Sequence, residues 1–188
     1  MMVRKYDSTR RKKASEETRN AILQAALKLH WEGITEYEPI AREAECSIHT
    51  LRKHFPTKEA LYHDCTRLFA ESLTMPNLDS LSEITSPKDR LENCVSELCR
   101  IHEAMFGYAW LGAHARTDSP TLDQEMRSYE GLTDAIVEII APDTQRTSLI
   151  RGLLDFLTYR ALRLSGRLSP EDARKELIKA LRPLIVGE

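Results

Sequence analysis

The sequence has little of several features that mark particular protein classes. Among its 188 residues there are only seven Gly and eight Pro, which excludes collagen-like and low-complexity chains. No apolar run approaches the roughly 18 residues that a membrane span needs. The first seven residues hold no apolar segment after their charged residues, so we expect no signal peptide. The four Cys show no C-x-x-C spacing and are expected to be reduced thiols, which favours a cytoplasmic protein without membrane contact.

An excess of charge of one sign is also lacking, but the charge is unevenly distributed. The net charge is −2, yet residues 1–60 hold twelve Lys or Arg against nine Asp or Glu. The densest basic run is Arg10 to Lys13, preceded by Arg4 and Lys5. We treat residues 1–14 as a basic N-terminal arm. Such an arm either meets a polyanion or is a solvated tail, and the charge alone does not decide between them.

Helical periodicity is what the sequence has throughout, and no segment alternates convincingly enough for a strand. The pattern predicts an all-α fold of about nine helices. Helix start signals stand at Ser15, Thr35, Ser47, Thr57, Ser86 and Ser169, with a further start at Ser119-Pro120 and one at Pro142. Gly33 and Ser165-Gly166 are predicted stops. The second helix should run to about Glu45, and residues 75–85 are predicted to form a loop. An apolar stripe from Leu91 to Ala109 predicts a helix after Ser86, and one further helix should span 142–164.

Two short helices in the N-terminal third, over 35–45 and 47–54, have the dimensions of a helix-turn-helix. The second helix is polar around one apolar anchor, Leu51. A helix in the major groove needs donors and acceptors for base edges and cations for phosphates. This short helix offers both, so we expect double-stranded DNA as a partner.

Three blocks in this region, in a fixed order, resemble the DNA-binding domain of the TetR family of transcriptional regulators. They are Glu17 to Leu29, Ile40 to Ala44 and Thr50 to Tyr62. The resemblance implies a DNA-binding domain over 15–60, followed by a helical ligand-binding and dimerisation domain over 61–188. It further implies a homodimeric, ligand-responsive repressor on a pseudo-palindromic operator.

The resemblance also assigns roles by position. Ile48, His49 and Thr50 would face base edges. Phosphates would be contacted by Thr35, Arg52, Lys53, His54 and Lys58. Leu51 and Phe55 are expected to anchor the core instead of touching DNA.

The sequence departs from the family pattern at several of these positions. Glu45 stands in the turn where the family usually has Gly, so it needs either a positive φ or a different turn. Arg52 replaces a frequent Tyr, and Ile48 could contact a thymine methyl. These departures motivate an alternative function: a helical small-molecule or partner-binding protein that has lost specific DNA readout.

The remaining two thirds give weaker signals. A wide apolar arc over 147–164 fits either a dimer interface or a monomer core. One helix concentrates candidate residues for a small-molecule effector, although the same residues could fill a core: His102, Met105, Phe106, Trp110 and His114.

Two further functions, a metal or redox sensor and an enzyme, have little support in the sequence. Cys94, Cys99 and His102 could suggest a metal or redox sensor, but the two Cys lie about 140° apart on a helix, so structural thiols are expected. His102, Glu103 and His114 accompany no catalytic motif. We therefore expect no enzyme activity, no metal and no cofactor.

Overall fold

The computed structural model describes residues 8–142 and 145–186, and within these ranges every regular element is helical. This confirms the predicted all-α fold. Arg4 and Lys5 of the predicted arm lie outside the described residues. Eleven α-helices occur in the described ranges: α1 Ser8–Trp31, α2 Tyr37–Glu43, α3 Ile48–His54, α4 Lys58–Ser72, α5 Leu78–Ser82, α6 Pro87–Ala104, α7 Phe106–Ala115, α8 Pro120–Ile140, α9 Thr147–Leu153, α10 Phe156–Leu164 and α11 Pro170–Ile185, with a 3-10 turn at Arg116–Asp118.

Five of the eleven described α-helices begin at the hydroxyl side chains expected to cap them. In each case the hydroxyl oxygen accepts a hydrogen bond from the backbone N–H three residues later, at 3.0 to 3.3 Å, which satisfies one of the unpaired donors of the first turn. The capping residues are Ser47, Thr57, Ser86, Ser119 and Ser169. The ends at Gly33 and Ser165-Gly166 also lie where the sequence placed them.

Two of the predicted starts in the N-terminal third are wrong. Ser15 lies inside α1, which begins at Ser8, so Arg10 to Lys13 are helical and not an extended arm. Thr35 does not cap α2 either, because Glu36 occupies the N-cap position without a side-chain bond, and α2 ends at Glu43 instead of Glu45. Pro39 is tolerated as the third residue of α2, where its missing N–H would have no intrahelical acceptor.

Three predictions for the chain after α4 differ from the helix boundaries in the structure. The expected loop over 75–85 contains α5, whose first turn is capped by Asn77. The stripe from Leu91 to Ala109 is divided between α6 and α7 at Met105. The helix expected over 142–164 starts only at Thr147 and is broken at Asp155, whose carboxylate instead caps α10 by accepting from the Leu157 N–H at 2.8 Å.

Two apolar cores result from this arrangement. Helices α1 to α4 enclose a small core, the head, built around Ile22, Ile40, Leu51, Phe55 and Leu61. Helices α5 to α11 enclose a larger one, the body, in which α11 packs along α6. In the described ranges, no helix combines the length and the apolar character needed to cross a membrane.

Candidate nucleic-acid interface

The turn between α2 and α3 keeps the usual helix-turn-helix geometry without its glycine. Glu45 has a φ of +51°, in the left-handed region. Its N–H donates to the Arg42 carbonyl at 3.2 Å, and the Cys46 N–H donates to the Ala41 carbonyl at 2.9 Å. These two bonds form a Schellman ending, in which glycine is the usual residue. Of the two possibilities raised by the sequence, the structure therefore has the positive φ.

Helix α3 is held from beneath by two fully buried side chains. Leu51 and Phe55 are both 0% exposed, which confirms them as core anchors. The buried Tyr37 hydroxyl donates to the Phe55 carbonyl at 3.0 Å and so ties the end of α3 to α2. The Arg19 guanidinium covers the Phe55 ring at 4.6 Å and pairs with Asp64 on α4. Helix α3 thus has one fixed orientation on the head.

The opposite face of α3 carries the predicted DNA contacts. His49, Arg52 and Lys53 are exposed, while Ile48, Thr50 and His54 are partly exposed. Thr50 is oriented by Ser47, whose hydroxyl lies 2.9 Å from the Thr50 hydroxyl. Burial, together with the nearby positive charges of Arg19 and Lys53, lowers the pKa of His54. The positive charge on this face therefore comes from Arg52 and Lys53.

The two predicted phosphate contacts outside α3 lie next to each other. Lys58 Nζ donates to Thr35 Oγ1 at 3.2 Å, and Lys58 is the first residue of α4. A helix N-terminus adds its own partial positive charge and free N–H groups. The ammonium group and the start of α4 thus form one electropositive point beside the recognition helix.

A cavity of about 190 Å³ lies between the head and the body. Its wall comes from α1, α4, α6, α7 and α8 and is mainly apolar. The aromatic residues of the wall are His30, Tyr62, Phe69, Tyr108 and Tyr129. Helix α4 is shared between the two candidate sites, because it begins at Lys58 and its later turns line the cavity.

Comparison with known proteins rests on structure. No protein-family model matches the sequence, and no curated protein matches it. Among solved structures, an HlyIIR mutant protein carrying a linker with two thrombin sites matches with a TM-score of 0.62 at 17% identity, over 88% of this chain and 97% of that one. A transcriptional regulator of the TetR/AcrR family from Aquifex aeolicus VF5 matches with a TM-score of 0.53 at 17% identity, over 89% and 99%. The chain has the TetR-family fold.

Within this TetR-family fold, the structure brings only one of the predicted effector residues to the cavity. Met105 lines it, whereas Phe106, Trp110 and His114 do not. Arg160 stacks on the Trp110 ring at 3.7 Å and lies 5.8 Å from the Phe106 ring, and His114 is exposed and bonded to the Trp110 carbonyl. These three therefore lie on a different part of the body from the cavity.

His102 is a core residue with both ring nitrogens bonded. Its Nε2 lies 3.0 Å from the Leu154 carbonyl, and its Nδ1 contacts the Tyr129 hydroxyl. Because a carbonyl only accepts, Nε2 carries the proton and Nδ1 accepts from Tyr129. Burial lowers the pKa of His102 to about 4, so the ring is neutral. Its role is to join α6, α8 and the end of α9.

Sequence reasoning missed most of the cavity wall. Tyr62 and Phe69 are seven residues apart on α4 and so share a face, which is a signal that the sequence contained. His30 and Tyr108 gave no such signal, because the cavity combines side chains from helices far apart in the chain.

The two Cys considered as a metal or redox sensor are buried. Burial raises the pKa of Cys94 to about 11 and that of Cys99 to about 12, so both are protonated thiols.

Proposed function

We propose that this protein is a cytoplasmic transcriptional repressor that binds a pseudo-palindromic operator as a homodimer and is released from DNA by a small molecule. The observation that carries the proposal is the head. A polar, cationic α3 stands on two buried anchors, Leu51 and Phe55, and has the adjacent Lys58–Thr35 pair beside it. This is the arrangement that major-groove recognition requires.

Two kinds of DNA contact follow from the positions of the side chains. Ile48, His49 and Thr50 lie in the first turn of α3, the part of a recognition helix that meets base edges. Arg52, Lys53 and Lys58 carry exposed positive charge for phosphates. The first set would decide which sequence is bound, and the second would supply the salt-dependent affinity.

The cavity supports release by a ligand. Tyr62 lies in the cavity wall, one helical turn after Lys58 on α4, and the Lys58 ammonium donates to the Thr35 hydroxyl. An occupant that moves Tyr62 would therefore change the position of the phosphate-binding lysine. Glu59 couples the same end of α4 to the body, because its carboxylate accepts from the Ser119 hydroxyl at 2.6 Å and the Thr121 N–H at 2.7 Å.

Exposed leucines support a second copy of the chain as the partner. Leu149 on α9 and Leu157 and Leu164 on α10 are each more than half exposed. Two heads on one operator require a dimer, and α9 and α10 offer an apolar face for it. Leu157→Glu should reduce the mass in light scattering from twice the 21.5 kDa monomer to the monomer. Met75→Glu, at an exposed apolar residue outside α9 and α10, is the control and should remain dimeric.

The DNA-binding test uses operator fragments obtained from the DNA upstream of the gene itself or by random-sequence selection. We expect selective binding over random DNA at about 150 mM salt, measured by fluorescence anisotropy. Thr50→Ala should reduce that selectivity by about tenfold or more. Lys58→Ala should weaken binding to all DNA alike and lower the salt slope by about one.

Lys179→Ala, at an exposed lysine on α11, provides the charge-matched control and should leave DNA binding unchanged. If selection returned no sequence motif and binding were weak and indifferent to sequence, the alternative function as a helical ligand-binding or partner-binding protein would replace this proposal.

A further inference from the structure

His30 is a buried polar residue at the cavity with an unpaired nitrogen. It lies in the last turn of α1 and is 2% exposed. Four buried side-chain nitrogens in the described residues lack a hydrogen-bond partner, and His30 Nε2 is the one among them whose residue lines the cavity. An unpaired buried polar atom destabilises the empty cavity. A bound group able to pair with it would therefore gain affinity at this point.

Other polar groups of the cavity wall are already engaged. The Tyr108 hydroxyl donates to the Leu27 carbonyl at 3.0 Å. The Thr66 hydroxyl donates to the Tyr62 carbonyl at 3.0 Å, and the Tyr129 hydroxyl is bonded to His102. These three hydroxyls have partners within the protein, whereas the buried His30 Nε2 has none.

The surroundings of His30 select against anionic ligands. Burial first, and then the positive charge of Lys58, lowers the pKa of His30 to about 4, so the ring is neutral. A neutral imidazole cannot balance a carboxylate, and Glu125 at the cavity wall would repel one. A hydroxyl fits the site because it can donate or accept and thus pairs with either tautomer of the ring.

The size and lining of the cavity limit the rest of the ligand. An apolar cavity of about 150 Å³ is large enough for benzene, and this one measures about 190 Å³. Tyr62 packs on His30 with 5.3 Å between ring centroids, and Phe69 packs on Tyr108 at 4.3 Å. A single aromatic ring can meet these faces and edges in favourable geometry.

We propose that the cavity binds neutral single-ring aromatic alcohols of the size of phenol, with the ligand hydroxyl hydrogen-bonded to His30 Nε2. This assignment deepens the proposed function, since the same molecule would be the effector. The occupant would also contact Tyr62, which lies one helical turn after Lys58 on α4.

The test measures binding of phenol and toluene to the full-length protein by titration calorimetry. The two compounds have nearly the same shape and differ in the hydroxyl. We expect phenol to bind more tightly than toluene in the unmodified protein. In His30→Phe the ratio of the two affinities should fall by about tenfold or more, while toluene still binds. His114→Phe changes a histidine outside the cavity and should leave the ratio unchanged.

Three outcomes would overturn the assignment: no binding of either compound, an equal or tighter affinity for toluene in the unmodified protein, or an unchanged ratio in His30→Phe. If His30→Phe shows no cooperative unfolding transition, the variant is not properly folded and its affinities cannot be compared. The deciding readout is then the ¹⁵N chemical shift of the His30 ring in the unmodified protein. Addition of phenol should move it, and toluene should move it less. An equal response to both compounds would contradict the hydrogen bond.

Anisotropy with the selected operator separates this inference from the proposed function. Binding of phenol without release of DNA would overturn the ligand response and leave the His30 site intact. Selective DNA binding by a protein that binds neither compound would overturn the His30 site and leave the regulator function intact.

Discussion

Replacing Glu45 with glycine should make the protein more stable, although it removes a side chain. Glu45 has a φ of +51° at the end of α2, and a residue with a Cβ pays about 1–2 kcal/mol for the left-handed conformation. Glycine avoids this cost but gives the unfolded chain more freedom, which reduces the gain by about 0.4–1 kcal/mol. The net increase in the free energy of unfolding is therefore about 0.5–1 kcal/mol.

Urea unfolding at pH 7, followed by circular dichroism, measures this difference as a higher midpoint at an unchanged slope. In a chain of this length, each kcal/mol should raise the melting temperature by about 2–4 °C. Glu45→Ala removes the same carboxylate and keeps the Cβ, so it separates the backbone from the charge. Arg167→Gly is the matched site in the body, because Arg167 also has a positive φ, of +53°.

The reasoning would be refuted if Glu45→Gly were no more stable than Glu45→Ala. That result would mean that the left-handed conformation costs nothing at this turn, or that the carboxylate controls its stability. An equal gain in both variants would assign the effect to the charge.

The remaining predictions concern pH and the contact between head and body. Burial lowers the pKa of both His30 and His102 to about 4, below the unfolded value of 6.5, so their contributions are present above pH 6.5 and are lost as the pH falls towards 4. Urea unfolding should show that the free energy of unfolding is lower at pH 5 than at pH 7.5 by about 2 kcal/mol for each histidine. His30→Phe should remove about half of this combined difference. An unchanged difference in His30→Phe would contradict the burial argument. Glu59→Ala should lower the free energy of unfolding by about 2 kcal/mol, because two hydrogen bonds to a carboxylate are lost. A double-mutant cycle with Ser119→Ala should show coupling between these residues, and strict additivity of the two losses would argue against the contact.

The sequence by itself determined the elements whose causes are local. A hydroxyl side chain before a helix satisfies an N–H three residues later, so Ser47, Thr57 and Ser169 marked helix starts that the structure contains. The amphipathic pattern of α3 and the resemblance of its flanks identified the head, and the departure at Glu45 marked the turn where either a positive φ or a different turn was needed. These features depend on neighbours within about one helical turn.

Only the tertiary structure decided which distant side chains meet. Gly107 lets α7 start against the end of α1, where an added Cβ would fall 2.2 Å from the Trp31 carbonyl oxygen, and the sequence pattern carries no trace of that contact. The same docking places His30 of α1 on a cavity walled by α4, α6, α7 and α8, away from Trp110 and His114. Periodicity tells which face of each helix is apolar, but the choice of the facing helix depends on packing over the whole chain. The cavity and its unpaired nitrogen are therefore properties of the assembled fold.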